Sequence, residues 1–214
     1  MTPDSVTTSG KTGFARLEAI TVDAATATSC ADLIMVTAPA MYHDVVVDAL
    51  APYLHDGQTV LFNTGYWGSL RQTVRLGRLP SGVTLAESNS MPYICHLQAD
   101  AVQVLGYKRS FRLAAFPGER IDEVCALAKR VYEQYDPVPT LIDSNIAAGG
   151  NTPIHATFAI PVAGLYFDRY LGGKFYQDAS TPGARLVAAH DAERERLALL
   201  DRDGVVRFVT TGER

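Results

Sequence analysis

Residues 31–65, ADLIMVTAPAMYHDVVVDALAPYLHDGQTVLFNTG, decide the fold. Leu33 to Val36 is an apolar run that ends at Ala38-Pro39, and Thr59 begins a second run that ends in Asn63-Thr64-Gly65. Between them, Met41 to Leu50 sets Val46 and Leu50 on one helical face, and Asp56-Gly57 signals a turn. Strand, helix, strand in this order predicts parallel strands joined by right-handed crossovers, with helices covering a buried sheet. The carboxyl ends of such strands face the ligand crevice of an open sheet. A glycine at that edge lets backbone approach a ligand, although many strand ends carry one as plain punctuation.

Upstream, residues 1–15 are rich in Thr, Ser and Gly without periodicity, so order is expected to begin near Arg16 with a short apolar strand and a small-residue helix. Downstream, Ser69 to Leu76 reads as a helix and Gly82 to Ala86 as a third parallel strand leading to Glu87. A carboxylate at that strand end could bind a cationic group, or it could be a solvated loop residue. AVQVLGYK and SFRLAAFP, from Ala101 onward, read as an antiparallel hairpin. Glu119 to Tyr135 reads as a helix through Ile121, Val124, Cys125, Ala128 and Val131, stopped by Pro137 and Pro139. A brief strand from Thr140 to Asp143 is expected to complete the sheet, and the domain boundary is placed there, giving residues 1–143 and 144–214.

The back part opens on DSNIAAGGNTPIHATF, Asp143 to Phe158, which offers a histidine in a nearly uncharged setting. With Thr152 as cap and Pro153 as first helical residue, His155 falls in the opening turn and Asn151 lies four residues earlier. A histidine there is a candidate general acid or base, with a hydrogen-bonded core histidine as the alternative. A second helix is expected from about Gly183 to Leu200, with a solvated charged face at Asp191, Glu193 and Arg194.

Composition excludes several classes. The chain has 214 residues, of which 47% are hydrophobic and 20% charged, enough to bury a full core in one or two domains. A net charge of −4 and scattered arginines leave no basic field for nucleic acid. Cys30, Cys95 and Cys125 are far apart and odd in number, which argues against a disulfide framework or a zinc knuckle, fits a reducing cytoplasm and predicts no metal site. The first residues are polar and lack the apolar core of a secretory signal. Ile146 to Phe167 contains no Asp, Glu, Lys or Arg, but its His155, Asn151, Pro153, Pro161 and Gly149-Gly150 read as protein interior and not as a membrane span.

Several of these segments, in their order and spacing over residues 16–197, resemble the opine (octopine/nopaline) dehydrogenases: ADLIMVTAPAMYHDVV, the strand ending in Asn-Thr-Gly, Ala-Glu-Ser followed by Met-Pro-Tyr, Asn151-x-x-x-His155, and Phe-Tyr followed by Thr-Pro and Asp-Ala-Glu-Arg. The resemblance implies an α/β fold: a partial Rossmann-like parallel sheet with helices, followed by an all-helical C-terminal segment for substrate binding or dimerisation. It implies reductive condensation of an amino acid with a 2-oxo acid, using NAD or NADP. His155 would be the catalytic histidine with Asn151 beside it. Thr37, Ala38, Pro39, Asn63 and Gly65 would line the dinucleotide, and Glu87, Tyr93 and Cys95 the substrate. Asp191, Glu193 and Arg194 match a segment taken as structural.

Two departures accompany the resemblance. The family's GxGxxG turn is absent, so the chain is expected to begin after it, and beyond Leu199 the family's further helices are not matched. Three readings follow: an opine dehydrogenase-like enzyme, as a homodimer or completed by another chain; a noncatalytic truncated remnant serving as a binding or oligomerisation module; or another Rossmann-type dehydrogenase acting on a hydroxy acid.

Overall fold

The computed structural model describes residues 5–8, 11–14, 16–77, 79–80, 82–98, 101–147, 155, 157, 160 and 181–198. By internal contacts the chain divides into two units, Met1–Leu141 and Ile142–Arg214.

The first unit is built on a five-stranded sheet whose strands are β3 (Leu33–Val36), β4 (Thr59–Asn63), β5 (Thr84–Ser88), β8 (Phe111–Phe116) and β9 (Tyr135–Pro137), in that spatial order. β3, β4 and β5 are parallel, as expected, and β8 returns antiparallel to β5. Period-two alternation sorts the side chains. Val60, Phe62 and Leu85 face one layer with α2 (His43–Leu50) and α3 (Gly68–Leu76), packing with Val36, Val47 and Leu54. Leu61 and Ala86 face the other, against α4 (Ile121–Lys129), whose Val124, Cys125 and Ala128 share one helical face. Every residue of β4 and β5 is buried, as expected of strands covered on both faces, although Thr84, Glu87 and Ser88 of β5 are polar. Each fully buried Leu or Phe in these layers contributes roughly 1.5–3 kcal/mol relative to its exposed state.

Four expectations are corrected. Residues Ser5–Thr8 (β1) and Lys11–Phe14 (β2) form an antiparallel pair where no order was expected; Val6, Thr7, Thr8 and Thr12 are β-branched and suit a strand. The expected strand near Leu17 is not formed, and Leu17, Ile20 and Val22 are exposed, while the small-residue helix that follows is α1 (Ala24–Thr28). Residues 101–107 (β7) pair with Tyr93–Gln98 (β6) and not with β8. Burial is the reason: β8 carries Phe111, Leu113, Ala114 and Ala115, all buried, and such a strand belongs inside a covered sheet, whereas β7 is largely exposed. Finally, the closing strand is Tyr135–Pro137, not Thr140 to Asp143, and α4 ends earlier than its periodicity suggested. Tyr135 is 1% exposed and draws the chain back to the sheet, where an edge position tolerates the missing amide of Pro137.

In the second unit the described elements are helical: wide turns at Asp143–Ala147, helical backbone at His155, Thr157 and Ile160, and α5 (Thr181–Ala198). Among the described residues no helix is long and apolar enough to cross a membrane.

Candidate active site

The strand register brings three chain segments to one edge. Val36 pairs with Phe62, and Asn63 with Ser88, so the segments after β3, β4 and β5 leave the sheet side by side at its carboxyl end. This is where an open parallel sheet presents a crevice. The three segments are used differently.

After β3, Thr37 and Pro39 are exposed and Ala38 is half-buried. Beneath them lies His43, buried at the start of α2, whose Nε2 lies 3.2 Å from the Ala38 carbonyl oxygen and whose ring packs 4.8 Å from that of Phe62. Burial pushes the imidazole below its ordinary range, opposed by the Ala38 bond and the charge of Glu87. A neutral His43 with its proton on Nε2 donates to Ala38 and so fixes the loop above it.

After β4 the side chains turn inward. The Asn63 amide meets the Tyr135 hydroxyl at 2.8 Å and accepts from Ser88 Oγ at 2.5 Å. Burial pushes the Tyr135 phenol up to about 12, with the Asn63 bond acting against it, so it stays protonated. Gly65 donates its amide to the Ser88 carbonyl at 2.9 Å, and a Cβ on it would lie 2.2 Å from Cβ of Glu87. Packing against Glu87 therefore requires a glycine here. Tyr66 and Trp67 follow with φ of 48° and 67°, a left-handed pair that turns the chain into α3.

Glu87, expected to bind substrate, is corrected to an interior role. It is 0% exposed, and its carboxylate accepts from the Trp67 amide at 3.1 Å, the Ser69 amide at 2.8 Å and the Ser69 hydroxyl. Trp67 gives α3 no side-chain cap, so a carboxylate from the neighbouring strand satisfies the orphan amides at the helix start. Tyr93 is half-buried, with ring centroids 5.2 Å from Tyr107 and 5.6 Å from Tyr132 in edge-to-face contacts that anchor the β6–β7 ribbon. Cys95 is exposed on that ribbon.

In the second unit, His155 lies on helical backbone with its side chain exposed, while Asn151 falls outside the described residues. Arg194 donates to Asp191 at 2.8 Å and to the Ile146 carbonyl at 2.6 Å, bonds that tie α5 to the turn at Asp143–Ala147. Among the described residues no group of three His, Cys, Asp or Glu could hold a metal ion.

Two contributors were not singled out in the sequence. His43 sits inside the quoted stretch MYHDVV, but nothing in its spacing separates it from a surface residue. Lys108 reads in the sequence only as the last residue of the strand AVQVLGYK; it follows β7, and its ammonium contacts the Ser90 hydroxyl beyond the carboxyl end of β5.

No protein-family model matches the chain. It is 27% identical over 198 residues to an opine dehydrogenase of Arthrobacter sp. (strain 1C), a match covering 88% of this chain and 53% of that protein. The fold matches octopine dehydrogenase solved with NADH and L-arginine, at a TM-score of 0.65 and 20% identity over 88% of this chain and 48% of that one. It also matches NADP+-bound yersinopine dehydrogenase, at 0.64 and 17% identity over 92% of this chain and 50% of that one. The chain thus spans about half the length of the curated relative it matches. Over the matched residues the chain is thus similar in sequence to an opine dehydrogenase and similar in fold to octopine and yersinopine dehydrogenases.

Proposed function

We propose that this chain carries the chemistry of an opine dehydrogenase-like oxidoreductase of the cytoplasm, joining the amine of an amino acid to a 2-oxo acid with NADH or NADPH as reductant. The observation that supports this most is the edge where β3, β4 and β5 end together, in a chain whose sequence relates it to an opine dehydrogenase. Octopine dehydrogenase has been solved with NADH and L-arginine, with NADH and pyruvate, and with NADH and agmatine, and yersinopine dehydrogenase with NADP+.

The Thr37 to Pro39 loop fits a dinucleotide, because Thr37 and Pro39 are exposed and the loop is held from beneath by His43. Asn63 and Gly65 support that loop's neighbour from within the sheet. Bound there, a reduced nicotinamide supplies the hydride that saturates the imine carbon. When the amine adds to the carbonyl carbon, its oxygen must leave as water. His155 is the proposed donor of that proton to the carbonyl oxygen, with Asn151 orienting the imidazole. Tyr93 and Cys95 are the remaining proposed contacts to substrate.

Fluorescence titration with NADH and NADPH is the first test, followed by reduced-cofactor oxidation with an amino acid and a 2-oxo acid together. We expect saturable binding, and a fall in turnover of about 100-fold or more in His155→Ala with the circular dichroism unchanged. Turnover that survives this substitution removes His155 from the mechanism. Oxidation of a hydroxy acid alone, without amine dependence, would favour a different Rossmann-type dehydrogenase.

A further inference from the structure

Lys108 follows β7 and lies apart from the residues assigned above. Its amide donates to the Pro92 carbonyl at 3.0 Å, and its ammonium contacts the hydroxyl of Ser90, which is 7% exposed. Ser90 in turn is fastened to the strand ends: its carbonyl accepts from Ser88 Oγ at 2.8 Å, and the same hydroxyl reaches the Asn63 amide oxygen at 2.5 Å. The chain of contacts Lys108, Ser90, Ser88, Asn63 therefore sets a cation on the carboxyl-end edge of the sheet.

That cation is half-buried. Burial lowers its pKa, and among the described residues no ion pair involves it. Partial removal of an ammonium from water is unfavourable unless an anion or several acceptors replace the lost hydration. One serine hydroxyl replaces only part of it. An anionic group arriving at this edge would replace the rest.

We propose that Lys108 binds the carboxylate of the 2-oxo acid, with the Ser90 hydroxyl holding the ammonium in place; this rests on the function proposed above. The 2-oxo acid is favoured over the amino acid because it brings a bare negative charge. An amino acid carries its own ammonium, which Lys108 repels. The arrangement thus selects for a substrate acid at the strand ends, independently of the histidine in the second unit.

Calorimetric titration of the full chain with pyruvate, and separately with glycine, tests the assignment in wild type, Lys108→Met, Lys108→Gln and Lys108→Arg. The two neutral variants should weaken pyruvate by roughly tenfold to hundredfold, the usual range for one charge-assisted hydrogen bond. Lys108→Arg should recover most of the affinity, glycine should respond less, and the thermal midpoints should stay together. Pyruvate affinity unchanged in the neutral variants, no pyruvate binding by the wild type, or a larger loss for glycine would each overturn the proposal. An NADH titration alongside separates this from the underlying reading. NADH binding with pyruvate insensitive to Lys108 removes the lysine alone, whereas pyruvate held through Lys108 without NADH binding removes the nucleotide reading and keeps the anion site.

Discussion

The segments after β3 and β4 occupy equivalent places at the carboxyl ends of adjacent parallel strands, yet one faces outward and the other inward. Thr37 and Pro39 are exposed. Asn63 and Gly65 are buried, with the asparagine amide committed to Tyr135 and Ser88 and the glycine pressed against Glu87. Position at a strand end brings a residue to the ligand edge, but the neighbouring side chains decide whether it meets ligand or core. The buried segment forms a platform, and the exposed one is free to make contacts.

The sharpest way to break this comparison is Gly65→Ala. A methyl group set 2.2 Å from a buried Cβ must displace Glu87, and with it the carboxylate that satisfies the first amides of α3. We expect a loss of about 3 kcal/mol or more in urea denaturation. An unchanged midpoint would mean that the segment after β4 yields as easily as the one after β3, and the contrast would dissolve.

A smaller effect concerns His43, which couples the two segments by holding Ala38 from below. Burial keeps its folded pKa under the ordinary 6.5, so the unfolded chain takes up the proton more readily. The stability this contributes is complete above the unfolded value and is lost as pH falls from there through the lower folded value. His43→Gln keeps a donor for the Ala38 carbonyl and cannot titrate. The stability difference between wild type and this variant, followed by denaturation from neutral to mildly acidic pH, should therefore shift against the wild type as pH drops. A difference that stays constant with pH would show that His43 is not the titrating link.

The smallest expected change in stability comes from Thr37→Ala. An exposed residue with no buried partner should alter stability by less than about 0.5 kcal/mol. Any weakening of dinucleotide binding in that variant then comes from the site and not from the fold. A large destabilisation would place Thr37 in the interior class with Asn63 and remove the distinction between the segments.

The amino-acid sequence by itself determined the alternation of strand and helix from Leu33 to Ala86, because apolar runs bounded by Pro, Gly and Asp-Gly admit few other arrangements. It also carried the resemblance to the opine dehydrogenases, through short segments whose order is kept although each alone is common. Only the tertiary structure decided where each of those residues points. Glu87 became a helix cap because α3 begins without one of its own, and β8 joined the main sheet because its buried phenylalanine, leucine and alanines required cover on both faces. Lys108 reached the carboxyl-end edge of the sheet because the β6–β7 ribbon folds the chain back beside Pro92 and Ser90. Each of these outcomes depends on partners 16 to 20 residues or more away in the chain, and local periodicity contains no term for such distances.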